Sequence, residues 1–139
     1  ELPLLVKLDT NGQLTDELKK VLSTGLVDYV AMDIKAPKGK YELVTKGADE
    51  EAIFKSAEFI LNQDVDYEFR TTYMPLLDLE DIEEIAKTLK GAKAYYIQQY
   101  RKPPNIKGRI FPEPVSIELV KKAADIAKKY IPNTQTRGV

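Results

Sequence analysis

Between residues 27 and 35 the chain reads Val-Asp-Tyr-Val-Ala-Met-Asp-Ile-Lys, a strand-length run that is apolar on one side only. Side chains alternate along a strand, so Val30, Met32 and Ile34 share one face while Tyr29, Ala31, Asp33 and Lys35 share the other. An acid and a base two residues apart therefore project side by side. The same asymmetry recurs in Leu4 to Asn11, where Leu4, Val6 and Leu8 oppose Lys7, Asp9 and Asn11, and in Asp66 to Thr72, where Tyr67 and Phe69 oppose Glu68, Arg70 and Thr72. Strands that alternate with helices usually form a parallel sheet covered on both faces, with near-continuous apolar runs. Here one face is charged, and such charges are rarely buried unless paired or solvated. The pattern predicts a sheet with helices outside and a polar, ligand-sized concavity inside.

The rest of the chain repeats a strand-helix unit. Asp9-Thr10-Asn11-Gly12 is a turn sequence after which Thr15 can cap a helix, striped by Leu14, Leu18, Val21 and Leu22 and stopped at Gly25. The loop Lys35 to Gly39 leads to a helix capped by Asp49 and striped by Ile53, Ala57, Ile60 and Leu61. A third strand runs into Pro75 and a helix begun by Asp78, ending at Gly91. A fourth, Ala94 to Tyr100, enters an irregular segment containing Pro103, Pro104, Pro112 and Pro114 before a helix capped by Ser116 that runs through Tyr130. Thr134 to Val139 can add a short fifth strand. The reading is one α/β domain over residues 1–139, a partial (β/α) barrel of four to five parallel strands with helices on the outer face. A full eight-unit barrel takes about 250 residues, and ligands in such folds gather at the carboxyl ends of the strands.

Composition limits the chemistry. Among 139 residues there is no cysteine, histidine or tryptophan. Disulfides, thiolate metal sites and imidazole catalysis are excluded for this chain alone, so no metal site is expected from its residues and no catalytic residue stands out. The 21 basic and 22 acidic residues give a formal net charge of −1, which predicts neither nucleic-acid nor anionic-membrane binding. No apolar run approaches the roughly 18 residues needed to cross a bilayer, and the chain reads as cytoplasmic.

Four segments in series, Leu8 to Gly12, Tyr29 to Pro37, Tyr67 to Pro75 and Tyr96 to Arg101, resemble the C-terminal part of radical S-adenosylmethionine activating enzymes. The nearest likeness is to the activating proteins of anaerobic ribonucleoside-triphosphate reductase, relatives of pyruvate formate-lyase activating enzyme. In that family a Cys-x-x-x-Cys-x-x-Cys loop binds a [4Fe-4S] cluster and a Gly-Gly-Glu segment holds the methionyl amine; neither occurs here. The resemblance implies a portion of such an enzyme that lacks the N-terminal cluster-binding units and is inactive alone, acting in the full-length family on a glycyl-radical enzyme such as anaerobic ribonucleotide reductase. It implies S-adenosylmethionine as cofactor, Asn11 near the adenosine end, Asp33 and Lys35 as the Asp-x-Lys pair at the methionyl end, Arg70 as the cofactor-binding arginine on the next strand, and Gln98 and Gln99 on the substrate side.

Plainer readings fit the same residues. Asp33, Lys35 and Arg70 suit an internal ion pair, Asn11-Gly12 suits a turn, and the tyrosines at 29, 67, 73, 95, 96 and 100 suit core and rim. Two further functions stay open: a cluster-free binding or complementing module, and an aldolase-like enzyme using Lys35 as Schiff-base nucleophile. An edge strand over Leu4 to Leu8, only partly blunted by Pro3 and Lys7, predicts self-association or pairing with a complementing chain.

Overall fold

The computed structural model describes residues 4–104 and 107–139; Pro3 of the predicted edge lies outside them. Five strands, β1 (Lys7–Thr10), β2 (Tyr29–Asp33), β3 (Asp66–Tyr73), β4 (Tyr95–Gln99) and β5 (Thr134–Arg137), pair in sequential order. Every pairing is parallel. Sequential order with right-handed crossovers puts all the connecting helices on one side of the sheet. Those helices are α1 (Thr15–Ser23), α2 (Tyr41–Val44), α3 (Glu50–Leu61), α4 (Leu79–Thr88) and α5 (Ile117–Ala127).

The register makes the two faces explicit. Asp9 pairs with Ala31, Asp33 with Arg70, Arg70 with Tyr96, and Gln98 with both Thr72 and Arg137. These residues share the face without helices. On the other face Val30, Met32, Tyr67, Phe69, Tyr73, Tyr95 and Ile97 join Leu18, Ile53, Ile60, Ile82, Ile85 and Val120 from the helices in one core. Removing the Ile82 or Ile85 side chain from that core costs about 2–5 kcal/mol by the usual transfer and cavity terms. Two of its buried hydroxyls are paired in series, Tyr95 Oη donating to Thr71 Oγ1, which donates to the Ile34 carbonyl, both at 2.6 Å, whereas the buried Tyr73 Oη has no partner among the described residues.

The caps at Asp49, Asp78 and Ser116 form as expected, each side chain accepting a first-turn backbone N–H. At Asp78 the third helical residue, Asp81, reaches back to complete a capping box. Thr15 departs from expectation. The residue before α1 is Leu14, with no side-chain cap, while Thr15 Oγ1 donates to the Ala52 carbonyl at 2.8 Å and contacts Ser56 Oγ at 2.7 Å. A neighbouring helix competes for the hydroxyl and ties α1 to α3. Boundaries also tighten: β1 begins at Lys7 rather than Leu4, and α5 ends at Ala127 rather than Tyr130. Leu4 and Leu5 stay 79% and 87% exposed beside this edge of the sheet.

Candidate functional site

Parallel strands in one phase bring chemistry to their carboxyl ends, and the register of β2 and β3 sets Asp33 directly beside Arg70. Arg70 Nε donates to Asp33 Oδ1 at 3.0 Å, and its Nη2 lies 3.9 Å from Asp9 Oδ1. The Arg70 side chain is only 17% exposed, whereas its partners Asp33 and Asp9 are 40% and 62% exposed, so the guanidinium is sheltered and the carboxylates face the opening. Asp33, Lys35, Arg70 and Thr72 line a hollow of about 280 Å³, walled on the far side by Val44, Thr45 and Met74. Lys35 is exposed, and no carboxylate among the described residues lies within ion-pair distance of its ammonium. Its backbone N–H donates to Tyr41 Oη at 2.8 Å, which anchors the loop that brings α2 over the hollow. Burial pushes the Tyr41 hydroxyl up to about 12, so it remains a neutral phenol at physiological pH.

A hollow of this kind holds one unpaired cation, a guanidinium with donors to spare, a carboxylate and a hydroxyl within one small-molecule span. That set recognises a zwitterion, a cation for its carboxylate and an anion for its ammonium. A larger depression of about 610 Å³ lies between the first turns of α1 and α3, lined by Asp16, Glu17, Asp49 and Glu51 with Lys19 and Lys55. It sits in the helix layer among solvated first-turn residues and carries no convergent strand-end chemistry.

The other expected residues lie differently. Asn11 is exposed in its turn, where Oδ1 accepts the Gln13 N–H at 3.1 Å, and it does not line the hollow. Gln98 lies on the polar face, with Oε1 3.5 Å from Thr72 Oγ1. Its neighbour Gln99 turns to the helix side, where Nε2 donates to the Val115 carbonyl at 2.8 Å and Oε1 is buried without a partner among the described residues. Among the described residues no group of acids converges as a metal site.

One cluster escaped the sequence reading. Glu68, its side chain 3% exposed, accepts two hydrogen bonds from Arg137, at 2.7 and 3.2 Å, and a third from Tyr29 Oη at 2.8 Å. The Arg137 guanidinium stacks 3.5 Å above the centre of the Tyr96 ring. Burial alone would push the Glu68 carboxyl up, but these donors outweigh it and hold it below the usual carboxylate range. The cluster links β2, β3, β4 and β5 across the concave face and supports the strands that present Asp33 and Arg70.

No family model matches the sequence. A curated protein of Methanocaldococcus jannaschii bearing the name of a glycyl-radical enzyme activating enzyme is 36% identical over 143 aligned positions, covering 96% of this chain. The chain spans 59% of that relative's length. Among solved structures, a domain of pyruvate-formate lyase-activating enzyme from Bacteroides vulgatus superimposes with a TM-score of 0.73 over 98% of this chain and 82% of the other, at 15% identity. The second likeness establishes a shared fold, and the first relates 96% of this chain to part of a protein named as a glycyl-radical enzyme activating enzyme.

Proposed function

We propose that this chain is the S-adenosylmethionine-cradling part of an enzyme that activates a glycyl-radical enzyme. Asp33 orients the methionyl ammonium, Lys35 and Arg70 hold the methionyl carboxylate, Asn11 lies toward the adenosine end, and Gln98 faces the incoming substrate, with Gln99 behind it. The observation that carries this reading is the strand-end hollow, where Asp33 and Arg70 lie 3.0 Å apart beside the unpaired Lys35. The donor set fits a methionyl zwitterion. It does not fit an iron-sulfur cluster, whose conventional ligands are cysteine thiolates, of which the sequence has none. When bound, the cofactor supplies a sulfonium-linked adenosyl group; this chain's residues position the methionyl end and do not provide the electron.

The aldolase reading lacks support, since a Schiff-base lysine is activated by burial and Lys35 is exposed. Pairing with a complementing segment or a second copy has support, because β1 forms one edge of the sheet and Leu4 and Leu5 beside it face solvent.

Titration calorimetry with S-adenosylmethionine tests the cradle. Arg70→Met and Asp33→Asn each remove a charge-assisted contact, so each is expected to weaken binding by about tenfold or more, with circular dichroism unchanged. Failure of the unsubstituted chain to bind, or indifference of binding to both substitutions, overturns the assignment.

A further inference from the structure

The connection from β4 to α5, residues 100–116, is seventeen residues long, whereas β1 to α1 takes four and β3 to α4 five. Connections in βα units usually run about 2–6 residues, and the long exceptions are most often functional. This one is tied at its neck, by the Gln99 to Val115 hydrogen bond and by the ion pair of Lys102 with Glu113. Beyond the neck Lys107, Arg109 and Ile110 face solvent, Ile110 at 98% exposure. The segment carries Arg101, Lys102, Lys107 and Arg109 against the single carboxylate of Glu113, in a chain whose formal net charge is −1. Lys102 is neutralised by Glu113, which leaves Arg101 near the neck and Lys107 and Arg109 just ahead of the exposed Ile110.

Burying such an aliphatic side chain is worth about 1.5–3 kcal/mol, and placing it among cations selects the surface that can cover it. The strap leaves the carboxyl end of β4, the same end of the sheet at which Asp33, Lys35 and Arg70 line their hollow. We propose that this strap is a docking element for an acidic polypeptide segment with an apolar side chain at its centre, presented by the protein to be activated. The identity of that partner rests on the function proposed above; the chemistry of the contact does not. Nucleic acid is disfavoured, because Phe111 is half-buried and no tier of exposed aromatic rings accompanies the cations. A lipid surface is disfavoured because, among the described residues of the strap, Ile110 alone is an exposed large aliphatic side chain and inserts too little apolar area.

The test uses fluorescence anisotropy with a labelled peptide carrying four glutamates around one leucine, and its lysine twin as control. The acidic peptide is expected to bind and the lysine twin not to bind. Lys107→Glu with Arg109→Glu, and separately Ile110→Ser, should each weaken binding by about tenfold. Lys121→Glu with Lys122→Glu makes the same charge change on an exposed face of α5 and should leave binding within about twofold. Equal binding of the lysine twin, equal loss in the α5 pair, indifference to the strap substitutions, or stronger binding to heparin or anionic vesicles overturns the proposal. Titration of the strap variants with S-adenosylmethionine should match the unsubstituted chain. In the unsubstituted chain, absence of S-adenosylmethionine binding with acidic-peptide binding present would refute the cradle alone, and absence of acidic-peptide binding with S-adenosylmethionine binding present would refute the strap alone.

Discussion

Arg137→Met isolates the contribution of the concave-face cluster. The substitution keeps the length of the aliphatic stem and removes the guanidinium that makes two hydrogen bonds to Glu68. Glu68, 3% exposed, keeps only the Tyr29 hydroxyl as donor. Stranding one member of a fully buried ion pair costs about 3–5 kcal/mol, and a net hydrogen bond to a charged group is worth about 1.5–3 kcal/mol. The Arg137 side chain is 37% exposed, so water replaces part of what is lost, and the expected cost is about 2–3 kcal/mol. In a chain of this size each kcal/mol moves Tm by about 3.5 °C, so thermal unfolding by circular dichroism should show a fall of about 7–10 °C at neutral pH. The pH dependence carries a sign. Because the fold holds Glu68 below the usual carboxylate range, its stabilisation is fully present above that range, near pH 4, and is lost as pH falls through the depressed folded value. Without the guanidinium, burial dominates and the Glu68 carboxyl rises, so the gap between variant and parent should narrow on acidification. Glu68→Gln combined with Arg137→Met should recover part of the loss. A single-variant cost under about 0.5 kcal/mol, or a gap that widens as pH falls, would refute the reasoning.

Other positions give sharper local expectations. At Gly12, φ is +79° and an added Cβ would fall 2.2 Å from the buried Met32 methyl, so Gly12→Ala should destabilise by about 1–3 kcal/mol in urea unfolding. Ser116→Ala removes the oxygen that accepts the Leu119 N–H at 3.1 Å and should cost about 1 kcal/mol, while Ser116→Asp should restore it. The open β1 edge and exposed Leu4 and Leu5 predict a mass by light scattering that rises with concentration, suppressed by Leu4→Lys with Leu5→Lys. A monomer at every concentration, with protected amides across Lys7–Thr10, would mean that this edge is covered.

The two-faced sheet was legible because its signal is local: Val30, Met32 and Ile34 against Ala31, Asp33 and Lys35 fix the phase of β2 without tertiary information. The caps at Asp49, Asp78 and Ser116 were legible for the same reason, since a side chain and an amide two or three residues on decide them. Thr15 misled because Ser56 and the Ala52 carbonyl, far along the chain, compete for its hydroxyl. The four-residue α2 has too few turns for a periodic signal and is held by Tyr41, buried against Phe54 with ring centres 5.9 Å apart. The Glu68 and Arg137 pair was hidden because it crosses from β3 to β5, over intervening β4, which depends on sheet curvature rather than on spacing in either segment. Gln98 and Gln99 look interchangeable as letters, but alternation sends them to opposite faces.

The central claim is that the strand ends of β2 and β3 hold a methionyl zwitterion, and a crystal structure of the chain grown with S-adenosylmethionine tests it most directly. The expected density places the methionyl carboxylate against Lys35 and Arg70 and the ammonium against Asp33, within hydrogen-bond distance of about 2.7–3.2 Å. Density for the methionyl group elsewhere on the molecule, with the hollow between Asp33 and Thr72 holding only solvent, would contradict the account.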